Sequence, residues 1–111
     1  MFDAYERLLG FVASEIKKDN AEAKVFSTNR LVQAAGAVSP ATLAYVLSKL
    51  VQEGWLEQFL RVETLSGRGI EDFSSLADVP EEVYDWPETH ENIRVTPNNL
   101  RVYYKLQNPA H

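Results

Sequence analysis

Apolar residues recur at helical spacing in three stretches of the first half of the chain. The first predicts a helix over about residues 2–18, whose stripe consists of Phe2, Tyr5, Leu8, Leu9, Val12 and Ile16. The second predicts a short helix over about 28–35, with inward residues Leu31, Val32 and Ala35. The third predicts a helix over about 39–53, buried through Leu43, Val46, Leu47, Leu50 and Val51.

Polar and glycine residues mark where these helices begin and end. Ser27-Thr28-Asn29 offers N-cap residues for the second helix, and Gly36 fits its C-terminal cap. Ser39-Pro40 places a serine at N-cap and a proline at the first helical position, which strongly indicates the start of the third helix. Gly54 stops the third helix, and Asp19-Asn20 is expected to stop the first.

The second half of the chain changes to the alternating pattern of strands. In residues 55–64, Leu56, Leu60, Val62 and Thr64 fall on one face, which predicts a strand with one buried side. A short strand is expected at 93–95 and a final strand at 100–106, the latter pairing with 55–64. Residues 66–69 predict a turn or flexible tip, and 107–111 are expected to fray.

Residues 70–91 have no clear period and are expected to be irregular. Pro80 is a candidate start for one helical turn. The segment holds several large apolar groups, so it is expected to pack back partly on the domain: Phe73, Leu76, Val79, Val83, Tyr84 and Trp86.

The element order and one motif resemble the winged helix-turn-helix superfamily, with a MarR/ArsR-like core. The motif is Leu50-Val51-Gln52-Glu53-Gly54-Trp55-Leu56, in which a helix runs through a glycine into the first wing strand. The resemblance implies a single α+β domain over 1–106, with three helices, a β-hairpin wing and a long insertion at about 65–92. Residues 79–106 also resemble small winged-helix components of prokaryotic conflict systems.

Composition excludes several kinds of site, and the distribution of charge indicates which segment is functional. The 111 residues include no cysteine, which excludes a disulfide scaffold, thiolate metal sites and a cysteine nucleophile. The formal charge is −5, yet residues 1–62 are neutral. Residues 71–91 contain eight carboxylates and no Lys or Arg. The chain is therefore expected to be a neutral helix-turn-helix core with an acidic wing, soluble and cytoplasmic, without a membrane-spanning segment.

The acidic wing is the leading candidate for function. It is interpreted as a solvated loop, as a segment that mimics the charge of DNA or occupies a basic groove on a partner, or as a cover over the third helix. Tyr84, Asp85, Trp86 and Glu88 form an aromatic anchor with an acidic rim, typical of a binding hot spot. The competing interpretation is that both rings pack on their own domain. The leading hypothesis is a non-enzymatic adaptor or regulatory subunit that binds a larger protein.

The alternative is a transcriptional regulator that reads double-stranded DNA with the third helix. The residues expected to contact DNA are Arg30, Ser39, Thr42, Tyr45, Lys49 and Arg61. That helix has one cation and no arginine, so its composition is poor for phosphate contacts and base reading.

Other chemistry finds little support in the sequence. His90 lies near Glu88 and Glu91, but one histidine with carboxylates does not define a metal site, so no metal or other cofactor is expected. No phosphate loop, nucleophile elbow or zinc-protease motif occurs, so no catalytic residue is expected. Phe2, Tyr5, Phe11 and Phe26 exceed what one face of the first helix needs, which suggests a homodimer through that helix.

Overall fold

The computed structural model describes residues 2–18 and 24–107. Within these ranges the chain is a mixed α+β protein with three α-helices and six strands. The helices are α1 (Phe2–Ile16), α2 (Thr28–Ala35) and α3 (Pro40–Gln52). The strands are β1 (Val25–Ser27), β2 (Leu56–Glu63), β3 (Gly69–Phe73), β4 (Glu82–Tyr84), β5 (Asn92–Arg94) and β6 (Leu100–Leu106).

The helix boundaries follow the capping residues. The Ser27 hydroxyl accepts the Arg30 amide at 3.1 Å, and the Ser39 hydroxyl accepts the Thr42 amide at 3.1 Å. Gly36 ends α2 at φ 83° and ψ −161°, and its N–H donates to the Val32 carbonyl. These contacts satisfy helix ends that otherwise lack backbone partners. The predicted bounds of α2 and α3 are confirmed, whereas the stop at Asp19-Asn20 lies outside the described residues.

The strands form a four-stranded sheet in the order β1-β6-β2-β3 and a two-stranded sheet of β4 and β5. The predicted neighbourhood of 55–64 and 100–106 is confirmed, since β2 and β6 are adjacent. Pairing of β2 with β3 and of β4 with β5 is antiparallel. The β2–β3 register shifts between Val62 and Glu63.

The chain divides into two compact units. The first comprises residues 1–58 and 104–111, and the second comprises 59–103. In the first unit, α1 packs against α2 and α3. Its side chains supply thirteen of the fifteen buried apolar residues in the described chain, while Val62 and Val83 belong to the second unit. Among the described helices none is long and apolar enough to cross a membrane alone; α2 and α3, bent by 105°, pass that test only as a pair.

The structure corrects the sequence prediction for residues 70–91. These residues are not simply irregular, because β3 and β4 both fall there. A single helical turn occurs at Leu76–Asp78, before Pro80, so the prediction that Pro80 starts such a turn is wrong. Of the apolar residues expected to pack back on the domain, Val83 is buried, Phe73 and Val79 are partly buried, and Leu76 is 70% exposed.

Two further predictions about the strands need correction. The alternation in 55–64 places Glu63 on the face opposite Leu56, Leu60, Val62 and Thr64, yet Glu63 is buried, and its carboxylate accepts a hydrogen bond from the Tyr103 hydroxyl. Gln107 was expected to fray, but its backbone N–H donates to the Trp55 carbonyl at 2.9 Å. Residues 108–111 lie outside the described chain.

Candidate interaction site

Tyr84, the last residue of β4, and residues 85–91, which connect β4 to β5, carry the exposed aromatic residues of the second unit and are together called the aromatic loop. Its backbone is closed by two hydrogen bonds. The Asp85 N–H donates to the Glu91 carbonyl at 2.9 Å, and the His90 N–H donates to the Asp85 carbonyl at 2.8 Å. His90 turns the chain at φ 54°, in the left-handed region that is uncommon for a side-chain-bearing residue. The loop therefore has a defined backbone path.

Asp85 holds the aromatic loop from inside. Its residue surface is fully buried, and its carboxylate accepts hydrogen bonds from Arg68 Nη2 at 2.6 Å and Thr89 Oγ1 at 3.1 Å. The hydrogen bond from Arg68 is the largest cause of the shift and holds the Asp85 pKa below its ordinary value. Burial is the second cause, and it acts in the opposite direction by raising the pKa. The expectation that Asp85 forms part of an exposed binding rim is wrong, because burial and pairing remove it from the surface.

Arg68 is itself positioned by the turn that precedes β3. The Arg68 backbone N–H donates to Thr64 Oγ1 at 3.1 Å, and the Thr64 N–H donates back to the Arg68 carbonyl at 2.8 Å. The Arg68 side chain also lies 3.3 Å from a Glu88 carboxylate oxygen. The turn predicted at 66–69 lies at residues 65–67, since Gly69 already begins β3, and Arg68 directly after it is fixed by contacts to the aromatic loop.

The rings of Tyr84 and Trp86 are exposed, whereas Asp85 between them is buried. Trp86 is 71% exposed and Tyr84 is 39% exposed. Their ring centroids lie 4.7 Å apart at an interplanar angle of 70°, and His90 stands edge-on to Trp86 at 6.3 Å and 85°. The interpretation that both rings pack into their own domain is therefore wrong for Trp86.

The second unit, which contains the aromatic loop, also carries the net negative charge of the chain. The first unit has seven Lys or Arg and seven Asp or Glu, whereas the second has four and nine, so the second carries the whole −5. On or beside the loop, exposed carboxylates are contributed by Glu81, Glu82, Glu88 and Glu91. Arg94 lies opposite Glu82 in the β4–β5 register, and Arg68 is occupied by Asp85 and Glu88.

The DNA-contact candidates of the first unit lie on α2 and α3. Tyr45 is 54% exposed, and Lys49 is also exposed. Ser39 and Thr42 are engaged with each other at the start of α3, at 2.9 Å between their hydroxyls. The Arg30 guanidinium lies 4.6 Å from the centre of the Phe11 ring. Arg30 and Ser39 are exposed as well, so Thr42 is the only partly buried residue among these five candidates.

Arg61, the remaining DNA-contact candidate, belongs to the second unit and is occupied there. Its Nε donates to Asp72 Oδ1 at 2.7 Å and its Nη2 to Oδ2 at 3.2 Å. The guanidinium also lies 4.8 Å from the Tyr103 ring centre and 5.3 Å from that of Phe59. A fork-like pair with a carboxylate and two aromatic faces already hold the Arg61 guanidinium, and its contact with DNA stays a prediction.

The aromatic residues proposed for a dimer interface are mostly satisfied inside the first unit. Phe26 is buried and its ring lies 5.2 Å from Phe11. The Tyr5 hydroxyl donates to the Glu53 carboxylate at 2.6 Å, the main reason that its pKa is raised. The Phe2 side chain lies outside the described part of the structure. Tyr5, Phe11 and Phe26 thus have contacts within the first unit, and the homodimer stays a prediction.

Sequence reasoning missed Arg68 and Thr89, the two residues that anchor Asp85. The signal for Arg68 was weak, since a lone arginine between two glycines is typical of a solvated turn. Across the described ranges, no group of three or more His, Cys, Asp or Glu side chains is arranged to hold a metal ion.

Comparison of the chain with protein-family models, with curated proteins and with solved structures gives no match.

Proposed function

We propose that the protein is a non-enzymatic interaction module, a small adaptor or regulatory subunit that binds a larger protein through the aromatic loop. The observation that carries this proposal is an exposed Trp86 on a loop whose backbone is pinned by the buried Asp85. Large aromatic side chains are enriched among residues that dominate binding energy. A partner that buries the exposed Trp86 ring would gain this binding energy.

The order of the loop also favours binding over a merely solvated turn. Fixing a mobile loop on association costs conformational entropy, and a loop that is already fixed avoids much of that cost. The backbone closure between Asp85, His90 and Glu91 supplies this order before any partner arrives. Tryptophan adds a large contact area with few rotatable bonds.

Affinity capture from the source cell, compared between the wild-type chain and Trp86→Ala, tests the proposal. We expect the partner retained by wild type to be depleted at least tenfold by Trp86→Ala, because truncating a binding hot spot costs about 2 kcal/mol or more. The matched control is Leu76→Ala, since Leu76 is 70% exposed in the same unit but outside the loop. Equal partner recovery by wild type and both variants would count against the aromatic loop as an anchor.

A second candidate function is DNA binding by α3 in a winged helix-turn-helix fold. It is supported by the α2–α3 angle of 105° across the short connection Gly36-Ala37-Val38-Ser39. Helix-turn-helix pairs cross at about 90–120° through a short turn that often contains glycine. The position of β6 between β1 and β2 further fits a wing formed by β2 and β6, with residues 64–98 inserted between them.

Binding of random-sequence duplex DNA at low salt tests this alternative. Under it, Lys49→Gln weakens binding about two- to fivefold through loss of a phosphate contact and reduces the salt slope by roughly one counterion. Lys17→Gln removes the same charge from the end of α1 and is the matched control. DNA binding that is undetectable, or that responds equally to both substitutions, argues against reading by α3.

A further inference from the structure

We propose that the aromatic loop recognises a basic segment of its protein partner, with an arginine or lysine side chain stacked on the Trp86 ring. This inference rests on the proposed function, since it names the chemistry of the partner at the same loop. It combines three features: the exposed ring, the negative charge beside it and the fixed backbone beneath it.

The ring arrangement suits a flat or compact cation. Tyr84 and His90 both meet Trp86 at steep angles, 70° and 85°, so neither is stacked in parallel on the indole. With 71% of Trp86 exposed, much of the indole surface is open to a ligand. A cation above an indole face is attracted by the negative charge of the π-system, and tryptophan is the best of the aromatic residues for this contact.

The surrounding charge selects a cation over an anion. Residues 71–91 contain no Lys or Arg, and Arg68 beside the loop is already paired with Asp85 and Glu88. Exposed rings also stack on nucleobases, but such sites place cations along the phosphate backbone. The carboxylates of Glu81, Glu88 and Glu91 would repel that backbone, whereas they attract a basic peptide.

Matched peptides separate cation recognition from general stickiness. The probes are a short Gly-Ser peptide with two arginines, the same peptide with citrulline in place of arginine, and a short polyuridine oligonucleotide. Citrulline keeps the shape of arginine but has no charge. The readout is the two-dimensional NMR spectrum of the full chain, in which Trp55 and Trp86 are the only indole groups. The Trp86 indole signal reports on the loop, and Trp55 is the internal reference.

We expect the arginine peptide to shift the Trp86 signal and leave that of Trp55 in place. Trp86→Leu keeps an apolar side chain but removes the π-face, and we expect it to weaken arginine-peptide binding about fivefold, followed through the backbone amides of the loop. Glu91→Gln is expected to weaken binding about twofold at low salt, as typical for one exposed charge pair. Glu6→Gln removes one exposed charge on α1, outside the second unit, and should leave binding unchanged.

Three results would overturn the inference: equal binding of the arginine and citrulline peptides, tighter binding of polyuridine, or no effect of Trp86→Leu on the arginine peptide. Thermal melting of each variant confirms that it remains folded. If partner capture depends on Trp86 but the two peptides bind alike, the proposed function stands and the cation inference fails. If Trp86→Ala captures as much partner as wild type, the proposed function fails regardless of the peptide result.

Discussion

At the scale of single residues, the aromatic loop depends on one buried carboxylate. Asp85 accepts hydrogen bonds from Arg68 and Thr89 and is the only fully buried charged side chain in the described chain. A buried ion pair that loses one member leaves the other without compensation, which destabilises the fold more than the net worth of the pair suggests. The geometry of the exposed rings is thus tied to an interaction beneath the surface.

Asp85→Asn is expected to lower the free energy of unfolding at neutral pH and to broaden the Trp86 indole NMR signal. The Arg68 guanidinium holds the folded-state pKa of Asp85 below the ordinary value of 3.8. Its stabilisation is therefore fully present above that value and is lost as the pH falls through the lowered folded-state pKa. Urea unfolding of wild type and variant at about pH 7 and about pH 2 compares their stability above the ordinary pKa with their stability below it.

The difference in the free energy of unfolding between the two proteins should be larger at about pH 7 than at about pH 2. Glu15 also has a lowered pKa, chiefly through its hydrogen bonds with Lys24 and Lys18, but it titrates in both proteins and cancels from the difference. A difference that is the same at both pH values would show that the Asp85 charge does not stabilise the fold.

At the scale of elements, two glycines of the first unit have opposite requirements. Gly36 ends α2 at φ 83° and ψ −161°, a region that is essentially restricted to glycine. Gly10 lies inside α1, where an added Cβ has no heavy atom within 4 Å. The same substitution at the two positions therefore tests helix termination against helix propensity.

Gly36→Ala is expected to destabilise the protein by about 1–3 kcal/mol, because alanine is strained in that backbone conformation. Gly10→Ala is expected to stabilise it by about 0.5–1 kcal/mol, because glycine is unfavourable in a helix interior. Urea unfolding with an unchanged denaturant slope measures both. Stabilisation by both substitutions would mean that α2 does not need its glycine terminus.

The helices could be predicted from sequence because their signals are local. Ser27, Ser39-Pro40 and Gly36 act within four residues of the ends that they define, and α2 matches its predicted bounds. β6 was also predicted with its bounds, since its alternation continues over seven residues. The winged-helix assignment itself stays a prediction beyond the mixed α+β architecture.

β3 and β4 could not be predicted because their signals are not local, whereas the short strand expected at 93–95 corresponds to β5. β3 has two adjacent charged residues, which is not typical of a strand. Its position is set by pairing with β2, where Asp72 of β3 lies opposite Arg61 and forms an ion pair with it. The burial of Asp85 depends on Arg68, seventeen positions away in sequence. Within a run of carboxylates, nothing in the sequence distinguishes the one that is buried from those that are exposed. The exposure of Trp86 was therefore one of two open interpretations.

At the scale of the whole molecule, charge and burial divide along the same boundary. The first unit is neutral and contains most of the buried apolar residues, while the second carries the formal −5 and the aromatic loop. This division predicts that the first unit is stable through its own buried residues and that the second unit provides the interaction surface. Removal of most of the second unit is the direct test.

The chain can be shortened by replacing residues 64–98 with Asn-Gly. The Glu63 N–H donates to the Asn99 carbonyl at 2.8 Å, which suits the two ends of a tight two-residue hairpin, for which Asn-Gly is a preferred sequence. The change removes eight carboxylates and two arginines, so the formal charge goes from −5 to +1. It leaves α1, α2 and α3 in place, together with β6.

We expect the shortened chain to keep a helical circular-dichroism spectrum and a cooperative thermal transition, because the side chains that bury the helices are retained. We expect it to lose the captured partner, since the aromatic loop is gone. If α3 binds DNA, the shortened chain should bind duplex DNA more tightly than the full chain at low salt, because removal of acidic charge reduces repulsion of phosphate. A chain that unfolds would show that the helical unit needs the second unit, whereas a folded chain that still captures the partner would place binding outside the aromatic loop.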